Sequence, residues 1–350
     1  MTQKSNKIKV GITLGDPNGI GGEIILKAFQ DSRMLELYTP VVFAQPKLLS
    51  YYAKSLDLNV KINGISESRE AIYGKFNALR SKAEVFKVTE GKVEAVAGDI
   101  AVQSLRAGVQ ALKDGEVDVL VTAPIHKESI QSDSFNFPGH TDFLNQELEG
   151  DSLMFMISKN VKIGLITDHV PLKDVVSHIT PKAIKTKIGS IKESLKKDFR
   201  ISKPKIAVLG INPHVGDNGV IGDDDQEILI PALEELREDG TLIFGPYAAD
   251  AFFGNKKYLQ FDAVLAGYHD QGLIPFKTLT FGSGVNYTAG LSHVRTSPDH
   301  GTGFDIAGQN IADPSSFIQA IHTAADIYQA RIEYAELTSN TLKTSSRGRR

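Results

Sequence analysis

The sequence contains no cysteine. That removes disulfides, thiolate nucleophiles and cysteine-ligated zinc together, so any bound metal has to be held by histidine and carboxylate side chains. Charge of one sign is also scarce. Lys and Arg number 39 against 42 Asp and Glu, and a net charge of −3 gives no electrostatic case for nucleic acid or an anionic membrane as partner. No window approaches the roughly 18 uninterrupted apolar residues of a membrane span. The start Met1-Thr-Gln-Lys-Ser-Asn-Lys7 carries no apolar stretch of the kind that directs secretion. A soluble cytoplasmic protein is the expectation. No internal repeat is present, and the glycine fingerprint of an ordinary dinucleotide fold is missing: Gly15, Gly19, Gly21 and Gly22 do not follow G-x-G-x-x-G.

A chain of 350 residues exceeds the usual size of one domain, so two domains around a cleft are expected. Ile8–Thr13 alternates as a strand does and runs into the glycine-rich turn Gly15 to Glu23, after which Ile24, Ile25, Leu26, Ala28 and Phe29 keep helical spacing. Strand, turn and helix start form a geometry suited to holding an anion. Apolar strands and amphipathic helices alternate from there on. Pro40 to Ala44 reads as a strand, Lys47 to Leu56 as a helix, and strand-like runs follow near Val60 and Val85. Gly98 to Asp114 reads as a helix and Val117 to Thr122 as a buried strand. Met154 to Ile157 and Val161 to Thr167 suggest a hairpin. Thr180-Pro181 supplies an N-cap and a proline at the first position of a helix reaching Phe199. Pro204 to Leu209 is a strand, Gln226 to Asp239 a helix, and Phe317 to Leu337 a long helix, with a frayed tail after it. The alternation predicts an α/β fold with mostly parallel sheets and helices on both faces.

Ligands of open α/β sheets gather at the carboxyl ends of strands. Three of the nine histidines, His169, His214 and His269, each stand just after an apolar strand. Three neutral imidazoles at strand ends can converge on one divalent ion and leave positions open for substrate, although any one of them could equally be a loop or core histidine bonded to backbone. His126, His178, His293 and His322 have no such context and read as structural. Asp223-Asp224-Asp225 lacks calcium-loop spacing and reads as a solvated helix start. Lys277, Asn286 and Arg295 suggest recognition of an anion, against the alternative of ordinary surface charge. Asp250 and Asp270 are the candidates for proton handling. Phe137 to Asp142 has the look of a functional loop ahead of a helix.

Six segments carry a resemblance: Gly15-Asp-Pro-Asn-Gly-Ile-Gly21, Pro138-Gly-His-Thr-Asp142, Thr167-Asp-His-Val-Pro171, Asn212-Pro-His214, Gly267-Tyr-His-Asp-Gln-Gly272 and Asp299-His-Gly-Thr-Gly-Phe-Asp-Ile-Ala-Gly308. Together they resemble the 4-hydroxythreonine-4-phosphate dehydrogenase family of pyridoxal phosphate synthesis, in order and over nearly the whole chain. The resemblance implies that His169, His214 and His269 ligate a divalent metal (zinc, magnesium or cobalt), with His269 reaching across a homodimer interface. It further implies that His140, Thr141, Lys277, Asn286 and Arg295 contact the substrate, and that Asp250 and Asp270 lie in the active site. The implied reaction is NAD-dependent oxidation of 4-phosphooxy-L-threonine at C3, followed by loss of carbon dioxide to give 3-amino-2-oxopropyl phosphate. A phosphorylated threonate-type hydroxy acid is the alternative substrate. A catalytically silent metal- or phosphate-binding protein would use the same cleft.

His300 to Gly308 is also similar to the nucleotide loop of isocitrate and isopropylmalate dehydrogenases, which bind NAD or NADP without a Rossmann fold; by that similarity His300, Gly301 and Asp305 contact the cofactor. The expected organisation is a cofactor-side domain of residues 1–135 and 290–337, a metal, substrate and dimerisation domain of residues 136–289, and a flexible tail at 338–350.

Overall fold

The computed structural model describes residues 7–80, 86–280 and 282–339. Its strands are β1 (Ile8–Thr13), β2 (Tyr38–Phe43), β3 (Ile62–Ile65), β4 (Phe76–Leu79), β5 (Val119–Thr122), β6 (Gly150–Ile157), β7 (Lys162–Leu165), β8 (Ile206–Leu209), β9 (Ile243–Tyr247), β10 (Ala263–Ala266), β11 (Val285–Leu291) and β12 (Arg295–Pro298). They join in one sheet of order β3-β4-β2-β1-β5-β12-β11-β6-β7-β10-β8-β9. Both flanks are parallel, as fully apolar strands require when helices cover both faces. The centre is antiparallel, because β11 pairs with β12 and β6, and β6 turns back into β7 as the expected hairpin.

Helix Pro181–Lys197 illustrates how sequence becomes packing. Thr180 Oγ1 accepts from the Ala183 amide, and Pro181 sits where no intrahelical donor is needed. Ile184, Ile188, Ile191 and Leu195, spaced by three and four, are wholly buried. Each contributes about 1.5–3 kcal/mol by leaving water, and together they fix the helix against β6, β7 and β11. A second anchor is polar: Asp198 accepts from Tyr287 of β11 at 2.7 Å and from Arg331 at 2.7 Å. That carboxylate ties the helix end, β11 and the long helix Ser315–Ser339 together.

Several expectations change. The glycine-rich turn uses several of its amides within the fold. The Asn18 amide donates to Asp16 Oδ1, Gly19 N to the Asp16 carbonyl and Ile20 N to the Thr302 carbonyl, so the turn docks the segment around Thr302. Gly15 is required there, with φ +71° and the Pro124 carbonyl 2.2 Å from where a Cβ would stand. β4 escaped the pattern reading because Phe76–Leu79 is short and lacks alternation, and the run near Val85 lies outside the described residues. The last helix includes Thr338 and Ser339; residues 340–350 lie outside the description. No described helix is long and apolar enough to cross a membrane.

Asp225 is not the solvated helix start the sequence suggested. It is wholly buried, and its two carboxylate oxygens accept from the Ile211 and Asn212 amides at 2.8 and 2.9 Å. This latch holds the exit of β8, where His214, Val215, Asp217 and Asn218 all have positive φ. Such a run is costly for L-residues and persists only when surrounding contacts dictate it. Asp225→Ala strands two part-buried amides and is expected to cost about 1–3 kcal/mol in urea unfolding; a loss below about 0.5 kcal/mol would show that the latch is dispensable.

Candidate active site

A cavity of about 330 Å³ opens at the antiparallel centre of the sheet. Each polar group in it is placed by a separate element. β5 ends in Thr122 and leads into Lys127; β12 supplies Arg295, β11 Asn286, and the first turn of helix His140–Glu147 supplies His140 and Thr141. The segment after β7 contributes His169. Helix His269–Thr280 contributes His269, Leu273 and Lys277, which are four apart and so share one face.

Arg295 dominates the electrostatics. Only 2% of it is exposed, and no carboxylate pairs with it among the described residues. Its donors reach the Thr122 hydroxyl at 2.6 and 3.1 Å and the Thr288 hydroxyl at 2.9 Å. Burial pushes the guanidinium down to about 9. A charge stripped of water and given only hydroxyl partners is poised for an anion. Burial, and then the Arg295 charge, hold His140 well below the ordinary histidine range, so a neutral ring faces the cavity.

Three buried polar atoms lining this cavity have no hydrogen-bond partner: His140 Nε2, Asn286 Oδ1 and His300 Nε2. Leaving one such group unpaired costs about 1–3 kcal/mol. Their convergence around Arg295 describes a polar ligand's outline.

At the other end the His169 and His269 rings lie 6.1 Å apart between centroids. His269 Nδ1 meets Asp270 Oδ1 at 2.7 Å, which fixes the tautomer and leaves Nε2 for a ligand. Burial against the cleft, followed by the Lys127 ammonium, lowers the proton affinity of His169. Two imidazoles, one oriented by a carboxylate, form a donor set that suits a divalent metal. Among the described residues, however, no group of three imidazole or carboxylate side chains is positioned to hold one.

The cavity therefore gathers His140, Thr141, Lys277, Asn286, Arg295, His169, His269, His300 and Gly301, as the sequence suggested. Within one chain it does not gather His214, Asp250 or Asp305. His214 stands exposed on the left-handed turn after β8, Asp250 is exposed in the first turn of helix Ala249–Gly254, and Asp305 is exposed beyond the cavity rim. Asp270 orients His269 from outside the lining. His269, expected to reach across to a partner, also lines its own chain's cavity. Thr122, Lys127 and Asp299 were missed. For Lys127 the signal was available, since it follows the buried strand β5 as the histidines follow theirs. His126, read as structural, stacks on Phe304 at 5.2 Å.

Residues 36–324 match the family described as "Pyridoxal phosphate biosynthetic protein PdxA". A 4-hydroxythreonine-4-phosphate dehydrogenase from Bacteroides thetaiotaomicron is 44% identical over 330 residues, covering 94% of this chain and 91% of the relative. A relative from Oceanobacillus iheyensis, named provisionally as a D-threonate 4-phosphate dehydrogenase, is 36% identical over 92% of this chain and 98% of its own length. The crystal structure of a 4-hydroxythreonine-4-phosphate dehydrogenase from Klebsiella pneumoniae superposes with a TM-score of 0.81 at 32% identity, covering 93% of this chain and all of that one.

Proposed function

We propose, because the chain belongs to the PdxA family of pyridoxal phosphate biosynthetic proteins, that it is a dehydrogenase oxidising 4-phosphooxy-L-threonine at C3 in that pathway, followed by decarboxylation to 3-amino-2-oxopropyl phosphate. The observation that carries the reading is the uncompensated Arg295 ringed by the unpartnered His140 and Asn286. A phosphate placed there answers the Arg295 guanidinium and accepts from His140 Nε2, while Asn286 Oδ1, an acceptor, is left for a donor elsewhere on the substrate. Oxidation removes a hydride from C3 and a proton from its hydroxyl. Loss of carbon dioxide then leaves an electron pair at C2 that takes up a proton.

The chain's own residues bind and orient. Arg295, His140, Thr141, Asn286 and Lys277 hold the phosphorylated end, which fixes C3 and is worth several kcal/mol of barrier in general terms. His169 and His269 face the reacting carbons and are the residues that would hold a divalent metal. Such an ion, when bound, supplies Lewis-acid polarisation of the substrate oxygen. His300 and Gly301, at the cavity edge, are the residues we assign to NAD, which accepts the hydride when bound.

We further infer a homodimer, located in the cytoplasm. His214 is exposed beside Val220, which is 81% exposed, and Ile221; a second copy packed there would bring this third imidazole to a neighbouring cavity. The sheet suggests the division into residues 1–135 with 290–337 and residues 136–289, meeting where β12 pairs with β11.

The threonate-type reading is favoured by the Oceanobacillus relative. Purified protein with NAD and added metal is expected to form NADH faster from 4-phosphooxy-L-threonine than from D-threonate 4-phosphate, and to lose that activity with a chelator. The opposite preference would transfer the assignment to the hydroxy acid. No NADH from either would remove the dehydrogenase reading.

A further inference from the structure

The loop after β5 is held rigidly from two sides. The Asp16 amide donates to the Pro124 carbonyl at 2.9 Å, and His126 stacks on Phe304 with an interplanar angle of 25° while its carbonyl accepts from Ile130. With His126 turned outward, Ile125 and Lys127 on either side of it line the cavity. The Lys127 ammonium has no hydrogen-bond or ion-pair partner among the described residues. Its charge is felt at His169, so it stands at the imidazole end, whereas the Arg295 charge is felt at His140.

Charged side chains lining the cavity are Lys127, Lys277 and Arg295, opposed by Asp299 alone. In a chain of net charge −3 the lining itself is cationic, with Asp142 and Asp168 felt at His169 and Asp270 bonded to His269 from outside it, and the lining cations match a substrate bearing more than one anionic group. A phosphorylated hydroxyamino acid carries two, at opposite ends of the carbon bearing the hydroxyl. The phosphate is answered by Arg295 and the unpartnered His140 Nε2. The carboxylate, nearer the carbon to be oxidised, needs a cation at the imidazole end.

We propose that Lys127 is that cation: a substrate-binding residue that holds the carboxylate beside His169 and thereby selects phosphorylated acids over phosphorylated alcohols of the same length. The proposal rests on the oxidation described above. An ammonium on the carboxylate steadies the bound acid and does nothing for the charge leaving it as carbon dioxide, so its contribution is to capture rather than to turnover.

The test uses Lys127→Met and Lys127→Arg in the full-length protein, with the wild type as control. Lys127→Met is expected to raise KM for 4-phosphooxy-L-threonine about tenfold or more, the scale of a lost charge-assisted hydrogen bond. Its kcat should fall by less than about threefold and its KM for NAD should hold; Lys127→Arg should recover most of the loss. Inhibition by 1-amino-3-phosphooxypropan-2-ol, which keeps the phosphate, hydroxyl and amine and lacks the carboxylate, should be equal in wild type and Lys127→Met. Unchanged KM in Lys127→Met, or equal weakening of the carboxylate-free inhibitor, overturns the assignment. An inactive wild type would instead count against the oxidation itself, which separates the two failures.

Discussion

Arg295→Met should leave the protein folded and as stable as the wild type while substrate capture collapses. The two halves of this result come from one fact. The guanidinium is buried without a counter-ion, so the ligand-free fold carries its desolvation cost, and exchanging such a charge for an apolar side chain of similar volume is commonly neutral or stabilising. The Thr122 and Thr288 hydroxyls lose a donor, but each can rotate to donate elsewhere. Capture loses a buried charge-assisted contact worth about 2–5 kcal/mol, so kcat/KM should fall by about 30-fold at least and up to a few thousandfold. Inorganic phosphate should raise the melting temperature of the wild type and not of the variant. A KM within threefold of the wild type would show that no anion sits on Arg295. Unfolding of the variant would show that the guanidinium is structural.

His169→Ala has the other large effect. The ring is exposed to the cleft and packs in no core, so removing it leaves the fold as it is. Loss of an outer partner that merely orients a ligating histidine commonly costs 10- to 100-fold, which is the range expected for Asp270→Asn. Loss of the imidazole itself should cost about a thousandfold or more in turnover, with circular dichroism unchanged. Turnover of His169→Ala within tenfold of the wild type would separate His169 from the chemistry.

The sequence was most informative where one element carries one message. Strand-end placement pointed to His169 and His269, because a buried apolar run has to stop where the chain meets solvent and there the polar groups cluster. His269 and Lys277, eight residues apart, share a helix face that the structure shows and the sequence reading did not name. Thr180 and Pro181 announced a helix start by chemistry that is local. What depends on distant segments was not readable. Nothing near Asp225 in sequence discloses that Ile211 and Asn212 spend their amides on it. Nor does the glycine-rich turn disclose that the Thr302 carbonyl takes its Ile20 amide. Arg295 was named as an anion contact, and the alternative of ordinary surface charge stayed open until β5 and β11 closed around it. Asp250 and Asp305 were placed in the site by motif alone, and within one chain the fold directs both to solvent.

Anomalous diffraction from crystals grown with cobalt and 4-phosphooxy-L-threonine tests the arrangement most directly. The account predicts a cobalt peak bonded to His169 and His269, with the phosphate on Arg295 and His140 of the same cavity and the His214 ring arriving from a second copy. Cobalt bound away from both imidazoles, or a phosphate lodged away from Arg295, would contradict it.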